Sequence, residues 1–322
     1  MNFLFLFLII ANTLLANQNI KLKPTFKLIN VGQNFTNFHQ NDSEVMENWH
    51  LEWFEYDPKI EFVPKVSIRS GFFKENTSKP FMGNILYLQG LGDSILNHRP
   101  LFEMLSEHGY RVIAFDYVGQ GGSKGTMNYT RIKDRYFPNL NIHTLAEYFW
   151  QKYRRVDRIS KDFRTVIGWS VGGLVAYEMA YRKWAQRVIL IAPGLAPKSL
   201  INKDFKITID SLTSAVWPPT KDPHIDPIKP DSPFSIPLFS TNYLTTASKA
   251  RRYKIAKSIS GLVLLSTDDV YIHSDKSKRV ILRNAKHFRV SEYNNCKHEL
   301  DNEIPEISNK VKQKIIDFLN NN

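Results

Sequence analysis

The chain has 322 residues, of which 43% are hydrophobic and 13% aromatic, and this composition excludes an intrinsically disordered protein. Its formal net charge of +12 is compatible with peripheral contact with an anionic membrane surface. The basic residues are scattered along the chain and form no recognisable nucleic-acid-binding module, so the charge does not predict binding to nucleic acid.

The first 16 residues are almost entirely apolar. This stretch is shorter than the roughly 20 residues that a membrane-spanning helix needs. Its length is typical of the hydrophobic part of a signal peptide, with cleavage near Ala16 or Asn17. We therefore predict a secreted or cell-envelope protein, periplasmic or extracellular, with an uncleaved N-terminal membrane anchor as the alternative. Residues 17–48 predict a polar lead-in without regular structure.

Apolar stretches separated by helical segments follow. Strands are predicted at residues 50–56, 66–73, 84–88, 110–116, 163–167, 187–192, 262–265 and 287–293. Helices are predicted at residues 100–108, 143–153, 174–180 and 309–319. Apolar strands that alternate with helices favour an α/β fold, in which a mostly parallel sheet is covered on both faces.

Prolines are concentrated between residues 195 and 257, where they interrupt regular structure. We interpret residues 195–257 as a cap, or lid, inserted into a core. The first part of this core is residues 49–194 and the second part is residues 258–322.

The motif Gly168-Trp169-Ser170-Val171-Gly172-Gly173 carries the most information in the chain. It has the form G-x-S-x-G, and it lies between a predicted strand and a predicted helix. A strand, a sharp turn and a helix together present a serine hydroxyl as a nucleophile. Glycines flank the serine because the turn brings backbone segments too close together for a Cβ atom. The motif therefore predicts that Ser170 is a nucleophile.

A serine nucleophile needs a base, a carboxylate that orients the base, and donors for the oxyanion. For a serine on this kind of turn, the carboxylate and then the histidine follow the serine along the chain. Asp268 and Asp269 come directly after the strand predicted at 262–265. Either aspartate fits, and the spacing to the histidine together with the apolar residues that follow slightly favours Asp268.

Two histidines compete for the role of base. His287 lies before or at the start of the last predicted strand, and His298 lies just after that strand. Catalytic groups of an open α/β sheet gather at the carboxyl ends of the strands. This position favours His298. The expected oxyanion donors are the backbone amides of Val171, which follows the nucleophile, and Leu91, which lies in the loop after the third predicted strand.

Three segments together resemble the α/β-hydrolase superfamily, and within it the monoacylglycerol lipase and lysophospholipase-like (serine aminopeptidase-like) group. Residues 115–123 resemble the D-x-x-G-x-G-x-S turn of that group, and residues 168–173 resemble its G-H-S-M-G-G elbow. Residues 298–306 resemble its histidine loop, and the resemblance runs from about residue 49 to the end of the chain.

The resemblance implies an α/β-hydrolase fold with an inserted cap, a Ser-Asp-His triad, no metal and no cofactor. It also implies carboxylic esters of lipid-like alcohols as substrates. Gln89 and Trp169 stand where the group has histidines, and because of Gln89 the loop after the third predicted strand is expected to be held differently. The same triad also serves acyltransferases, peptidases and thioesterases, and a catalytically silent binding module is the alternative from another class.

Overall fold

A computed structural model of the protein describes residues 24–29, 47–59, 65–125, 142–156, 163–199, 210–215 and 237–321. The predicted signal peptide or anchor at 1–16 and much of the predicted cap at 195–257 lie outside these residues. No helix within the described ranges is both long enough and apolar enough to cross a membrane.

The described residues contain one sheet of nine strands, in the order β1-β2-β3-β5-β4-β6-β7-β8-β9. The strands are β1 (Thr25–Ile29), β2 (Trp49–Asp57), β3 (Val66–Phe73), β4 (Gly83–Leu88), β5 (Tyr110–Phe115), β6 (Thr165–Trp169), β7 (Arg187–Ile191), β8 (Ser260–Ser266) and β9 (Arg289–Tyr293). The pairs between β1, β2, β3 and β5 are antiparallel. All other pairs, from β5 through β4 to β9, are parallel. This confirms the prediction of a mostly parallel sheet.

Six helices connect or cover these strands within the described residues. They are α1 (Arg99–Glu107), α2 (Ile142–Tyr153), α3 (Val171–Tyr181), α4 (Pro237–Ala250), α5 (Ser274–Asn284) and α6 (Pro305–Asn320). Every residue of β4, β6 and β7 is buried, so the middle of the sheet is covered on both faces. This burial explains why most residues of these strands are apolar.

The structure differs from the sequence prediction at three elements. Strand β1 lies within the segment predicted as an unstructured lead-in, where it pairs with β2. Helix α4 lies within the proline-rich segment, and helix α5 lies in a stretch where no helix is predicted. Only three of the eleven residues of α5 are apolar, Val280, Ile281 and Leu282, and the buried side of this helix includes Ser274 and Ser277. A helix with so few apolar residues, all adjacent in the sequence, gives no repeated apolar spacing from which to predict it.

A buried ion pair fixes the turn that follows β5. Arg69 Nε lies 2.5 Å from Asp116 Oδ2, and both side chains are fully buried. Asp116 also accepts hydrogen bonds from the backbone amides of Ile95 at 2.9 Å and Gly122 at 3.0 Å. Gly121 has a φ of +50°, and a Cβ there would lie 2.5 Å from Asp116 Oδ1. The glycine-rich turn therefore wraps closely around this carboxylate.

We predict that Asp116→Asn lowers the free energy of unfolding by about 3–5 kcal/mol, because it leaves the buried Arg69 guanidinium without its countercharge. Chemical denaturation measures the change. The exposed Asp317→Asn on α6 is the matched control and is expected to change stability very little. Equal stabilities for the two variants would contradict a structural role for the ion pair.

Candidate active site

Ser170 lies at the sharp turn between β6 and α3. Its backbone has a φ of 53° and a ψ of −115°, a conformation that an L-residue with a side chain seldom adopts. The turn is held by a hydrogen bond from Ser170 N to Ile191 O at 2.9 Å. A Cβ on Gly172 would lie 2.0 Å from the carbonyl oxygen of Leu88, and a Cβ on Gly168 would lie 2.3 Å from Gly172 O. Close backbone packing thus requires glycine at both flanks of the serine.

His298 follows β9, at the same edge of the sheet as Ser170. Its Nε2 atom lies 2.8 Å from Ser170 Oγ. The backbone amide of His298 donates to Leu212 O at 2.9 Å, and its side chain is nearly fully buried. The competing candidate, His287, is exposed in the turn before β9, where its Nε2 lies 3.0 Å from Ile259 O. The structure therefore brings His298, and not His287, to the serine.

Asp269 is the carboxylate beside the imidazole. Its Oδ2 atom lies 2.7 Å from His298 Nδ1, and the side chain is buried. The other carboxylate oxygen, Oδ1, accepts hydrogen bonds from the backbone amides of Tyr271 at 2.8 Å and Ile272 at 2.9 Å. These two bonds fix the direction in which the carboxylate points.

The slight preference for Asp268 as this carboxylate is wrong. Asp268 is exposed, and its Oδ2 atom accepts hydrogen bonds from Asn295 N at 2.9 Å and Thr267 Oγ1 at 3.0 Å. Asp268 thus links the turn after β8 to the loop after β9 on the exposed side of the protein. Asp268 lies in the turn after β8, and of the two neighbouring aspartates only Asp269 contacts the imidazole.

Together these three side chains form a continuous chain of hydrogen bonds. An ionised carboxylate only accepts, so His298 Nδ1 carries the hydrogen that faces Asp269. Nε2 of the neutral imidazole is then an acceptor, and the Ser170 hydroxyl is its donor. This arrangement can remove a proton from Ser170 as its oxygen attacks a carbonyl carbon.

Of the two amides predicted as oxyanion donors, one belongs to the residue after Ser170 and the other to the loop after β4. Val171 is the first residue of α3, and the first amides of a helix have no acceptor inside the helix. In the loop after β4, Gln120 Oε1 accepts from Gly92 N at 2.8 Å and from Asp93 N at 3.4 Å. Those two amides are therefore engaged, which is consistent with Leu91 as the donor of this loop. The role of Leu91 and Val171 remains a prediction.

The loop after β4 is held without the expected histidine. Gln89 Nε2 donates to the carbonyl oxygen of Asp93 at 3.1 Å, which closes the loop on itself. Trp169 Nε1 donates to the carbonyl oxygen of His298 at 3.1 Å. A Cβ on Gly90 would lie 2.4 Å from the Trp169 ring. The indole therefore packs between the loop after β4 and the histidine loop.

Sequence reasoning missed several residues that border the site. The Tyr271 ring lies 5.1 Å from the His298 ring, centroid to centroid, and Gln120 holds the loop after β4 as described above. Tyr243 of α4 lies against Gly194, whose amide donates to Ser170 O at 2.7 Å. The glycine-rich turn that contains Gln120 was a usable signal. Nothing in the sequence distinguishes Tyr243 or Tyr271 from core tyrosines.

Among the described residues, no group of three or more histidine, cysteine, aspartate or glutamate side chains is placed to hold a metal ion.

The comparisons with known proteins agree with this architecture. Residues 83–212 match a family model described as the alpha/beta hydrolase fold. A search of curated protein sequences gives no significant match.

Solved structures of lipases and esterases are similar to the chain. A monoacylglycerol lipase from Paleococcus ferrophilus is 19% identical with a TM-score of 0.58, and the match covers 78% of this chain and 98% of that one. A monoglyceride lipase from Saccharomyces cerevisiae, solved with a substrate analogue, is 14% identical with a TM-score of 0.59. The match covers 80% of this chain and 93% of that lipase. An esterase from Pyrococcus furiosus is 15% identical with a TM-score of 0.53, and the match covers 88% of this chain and 93% of that esterase. The chain therefore has the α/β-hydrolase fold and resembles monoacylglycerol lipases in structure, as its motifs predict.

Proposed function

We propose that this protein is a secreted or cell-envelope serine hydrolase. In this proposal it cleaves carboxylic esters of lipid-like substrates, such as monoacylglycerols or lysophospholipids, through an acyl-enzyme. The observation that carries the proposal is the pair of distances at His298, 2.8 Å to Ser170 Oγ and 2.7 Å to Asp269 Oδ2. Similarity to two solved monoacylglycerol lipases supports the substrate class.

In the acylation step, Ser170 Oγ bonds to the ester carbonyl carbon while its proton passes to His298 Nε2. Asp269 stabilises the imidazolium that forms and keeps the ring oriented. The amides of Leu91 and Val171 donate to the oxyanion of the tetrahedral intermediate. When the intermediate collapses, the bond to the alcohol oxygen breaks, and that oxygen takes the proton from Nε2.

In the second step, water replaces the alcohol. His298 Nε2 removes a proton from the water as its oxygen attacks the acyl carbon. The bond between the acyl carbon and Ser170 Oγ then breaks, Oγ takes the proton from Nε2, and the carboxylic acid is released. A different acceptor or leaving group gives the alternatives, an acyltransferase, a peptidase or a thioesterase. Product analysis with glycerol or a lysolipid added as a competing acceptor separates transfer from hydrolysis.

A basic groove between α4 and α5 supports peripheral contact with an anionic membrane surface. Its lining is rich in cations and consists of Ser248, Arg251, Arg252, Lys276, Arg279, Val280 and Arg283. Asp275 pairs with Arg279 at 2.8 Å, which leaves a clear excess of positive charge. Leu244, 54% exposed, lies one helical turn before Ser248 on α4. Cations beside an exposed leucine match the headgroups and the acyl boundary of an anionic bilayer.

We predict that Ser170→Ala lowers kcat for monoacylglycerol and p-nitrophenyl esters by about 10⁴-fold or more, because no other group replaces the nucleophile. Steady-state kinetics on the mature protein measures the loss. The exposed Ser258→Ala is the control and is expected to keep the wild-type rate. If the wild type is no faster than Ser170→Ala, the esterase proposal fails and the result favours the catalytically silent binding module.

The two neighbouring aspartates provide a matched pair of variants. We predict that Asp269→Asn lowers kcat by about 10²–10⁴-fold, because an amide no longer stabilises the imidazolium or fixes its tautomer. Asp268→Asn keeps an oxygen acceptor for Asn295 N and is expected to stay close to the wild-type rate. The same ester assay measures both variants. A larger loss in Asp268→Asn than in Asp269→Asn would refute the assignment.

For the basic groove, we predict that Arg252→Glu with Lys276→Glu weakens binding to phosphatidylserine-containing vesicles by about tenfold or more. Vesicle sedimentation measures the affinity, and pure phosphatidylcholine vesicles serve as the reference membrane. Lys79→Glu with Lys314→Glu makes the same change of net charge at exposed positions elsewhere. Equal weakening in both double variants would mean that net charge, and not the groove, attracts the membrane.

A further inference from the structure

A second buried histidine lies next to the site. His98 ends a short 3-10 helix, Ile95–His98, and its side chain is fully buried. Its Nε2 atom lies 2.7 Å from Asp93 Oδ2, and its Nδ1 atom lies 2.7 Å from Asp301 Oδ2. Both carboxylates are themselves buried. The mechanism described above makes no use of this cluster.

The geometry indicates that His98 is an imidazolium. Both of its nitrogens face carboxylate oxygens, and ionised carboxylates only accept, so both nitrogens carry a hydrogen. Burial opposes the charge, but the carboxylates of Asp93 and Asp301 outweigh it and hold the pKa of His98 well above its usual value. For Asp301, burial acts against ionisation and His98 outweighs it, so the pKa of this carboxyl is lowered.

The other titratable groups around the cluster come from four elements. They are Tyr87 at the end of β4, Tyr117 after β5, Glu299 after His298, and Lys312 on α6. Burial, followed by the nearby carboxylates, raises the pKa of both tyrosines well above their usual value, so they stay neutral. Burial lowers the pKa of Lys312, while Asp301 and Glu103 oppose that change. His98 is therefore the cation in direct contact with both Asp93 and Asp301.

The two carboxylates belong to the two loops that must meet for the proposed reaction. Asp93 follows Leu91 by two residues in the loop after β4, and Asp301 follows His298 by three residues. A second bond, from Asn302 Nδ2 to Asn97 O at 2.9 Å, joins the same two segments. His98 thus connects the loop of the proposed oxyanion amide with the loop of the proposed base.

We propose that His98 is a positioning residue that, bridging Asp93 and Asp301, fixes the Leu91 amide relative to the His298 imidazole. This inference rests on the proposed esterase function. His98 does not touch the reacting atoms and acts through the two loops. Displacing an oxyanion donor weakens the stabilisation of the transition state more than it weakens substrate binding. The effect therefore falls on kcat rather than on KM.

The contribution of the His98 proton to the bridge depends on pH. Because the pKa of His98 is raised on folding, its contribution to stability is complete below the ordinary histidine pKa. That contribution is lost as the pH rises through the raised value. The proposal therefore requires a decline of kcat on the alkaline side, caused by loss of the His98 proton.

Asp301→Asn tests this requirement with little change of shape. Removing one of the two countercharges is expected to lower the pKa of His98, so the alkaline decline of kcat moves down by about 1 to 3 pH units. His98→Gln, which cannot bridge two carboxylates, is expected to lower kcat about tenfold or more at neutral pH with little change in KM. His108→Gln, at an exposed histidine after α1, is expected to keep the wild-type profile.

Nitrogen NMR of the histidine side chains follows the ionisation of His98 directly in the wild-type protein, even where a variant fails to fold. A doubly protonated ring above pH 7 is expected. A neutral His98 ring above pH 7, or an alkaline decline of kcat that is unchanged in Asp301→Asn, overturns the positioning role. If the wild type is active in either case, the proposed esterase function still holds. A wild type without esterase activity overturns the proposed function, and the positioning role with it.

Discussion

The candidate site depends on the imidazole of His298 and its two hydrogen bonds, one to Ser170 and one to Asp269. These groups come from three separate loops at the carboxyl ends of β6, β8 and β9, and parallel pairing from β6 through β9 is what places those ends at one edge. The hydrogen bonds require the serine to project from its turn. That in turn requires the unusual backbone of Ser170 and the absence of a Cβ at Gly168 and Gly172. Sheet topology and turn geometry together therefore place these three side chains within hydrogen-bonding distance.

Much of this arrangement could be predicted from the sequence. The serine motif has a local backbone reason for each glycine, and the order of serine, acid and histidine follows from the fold. The choice between Asp268 and Asp269 could not be made. It depends on the direction of a carboxylate in a loop, which is set by hydrogen bonds to Tyr271 and Ile272. Periodicity and spacing do not show which of two adjacent side chains in a loop faces the imidazole.

The pairing of the buried charges could not be predicted from the sequence either. Arg69 lies inside a strand, and its partner Asp116 is 47 residues away. His98 and Asp301 are separated by 203 residues. Each pair exists only because the sheet brings distant segments together, and a single sequence carries no record of such contacts. Helix α5 was missed for a different reason, since only three of its eleven residues are apolar and they are adjacent in the sequence.

Mapping a covalent fluorophosphonate adduct on the folded protein tests the central claim most directly, because the reagent reacts with a serine only where a base and oxyanion donors have activated it. Peptide mass spectrometry after labelling is predicted to find one adduct, on Ser170, and to find none when the protein is unfolded before labelling. An intact, folded protein that gains no adduct, or that carries it on another serine, would contradict the account.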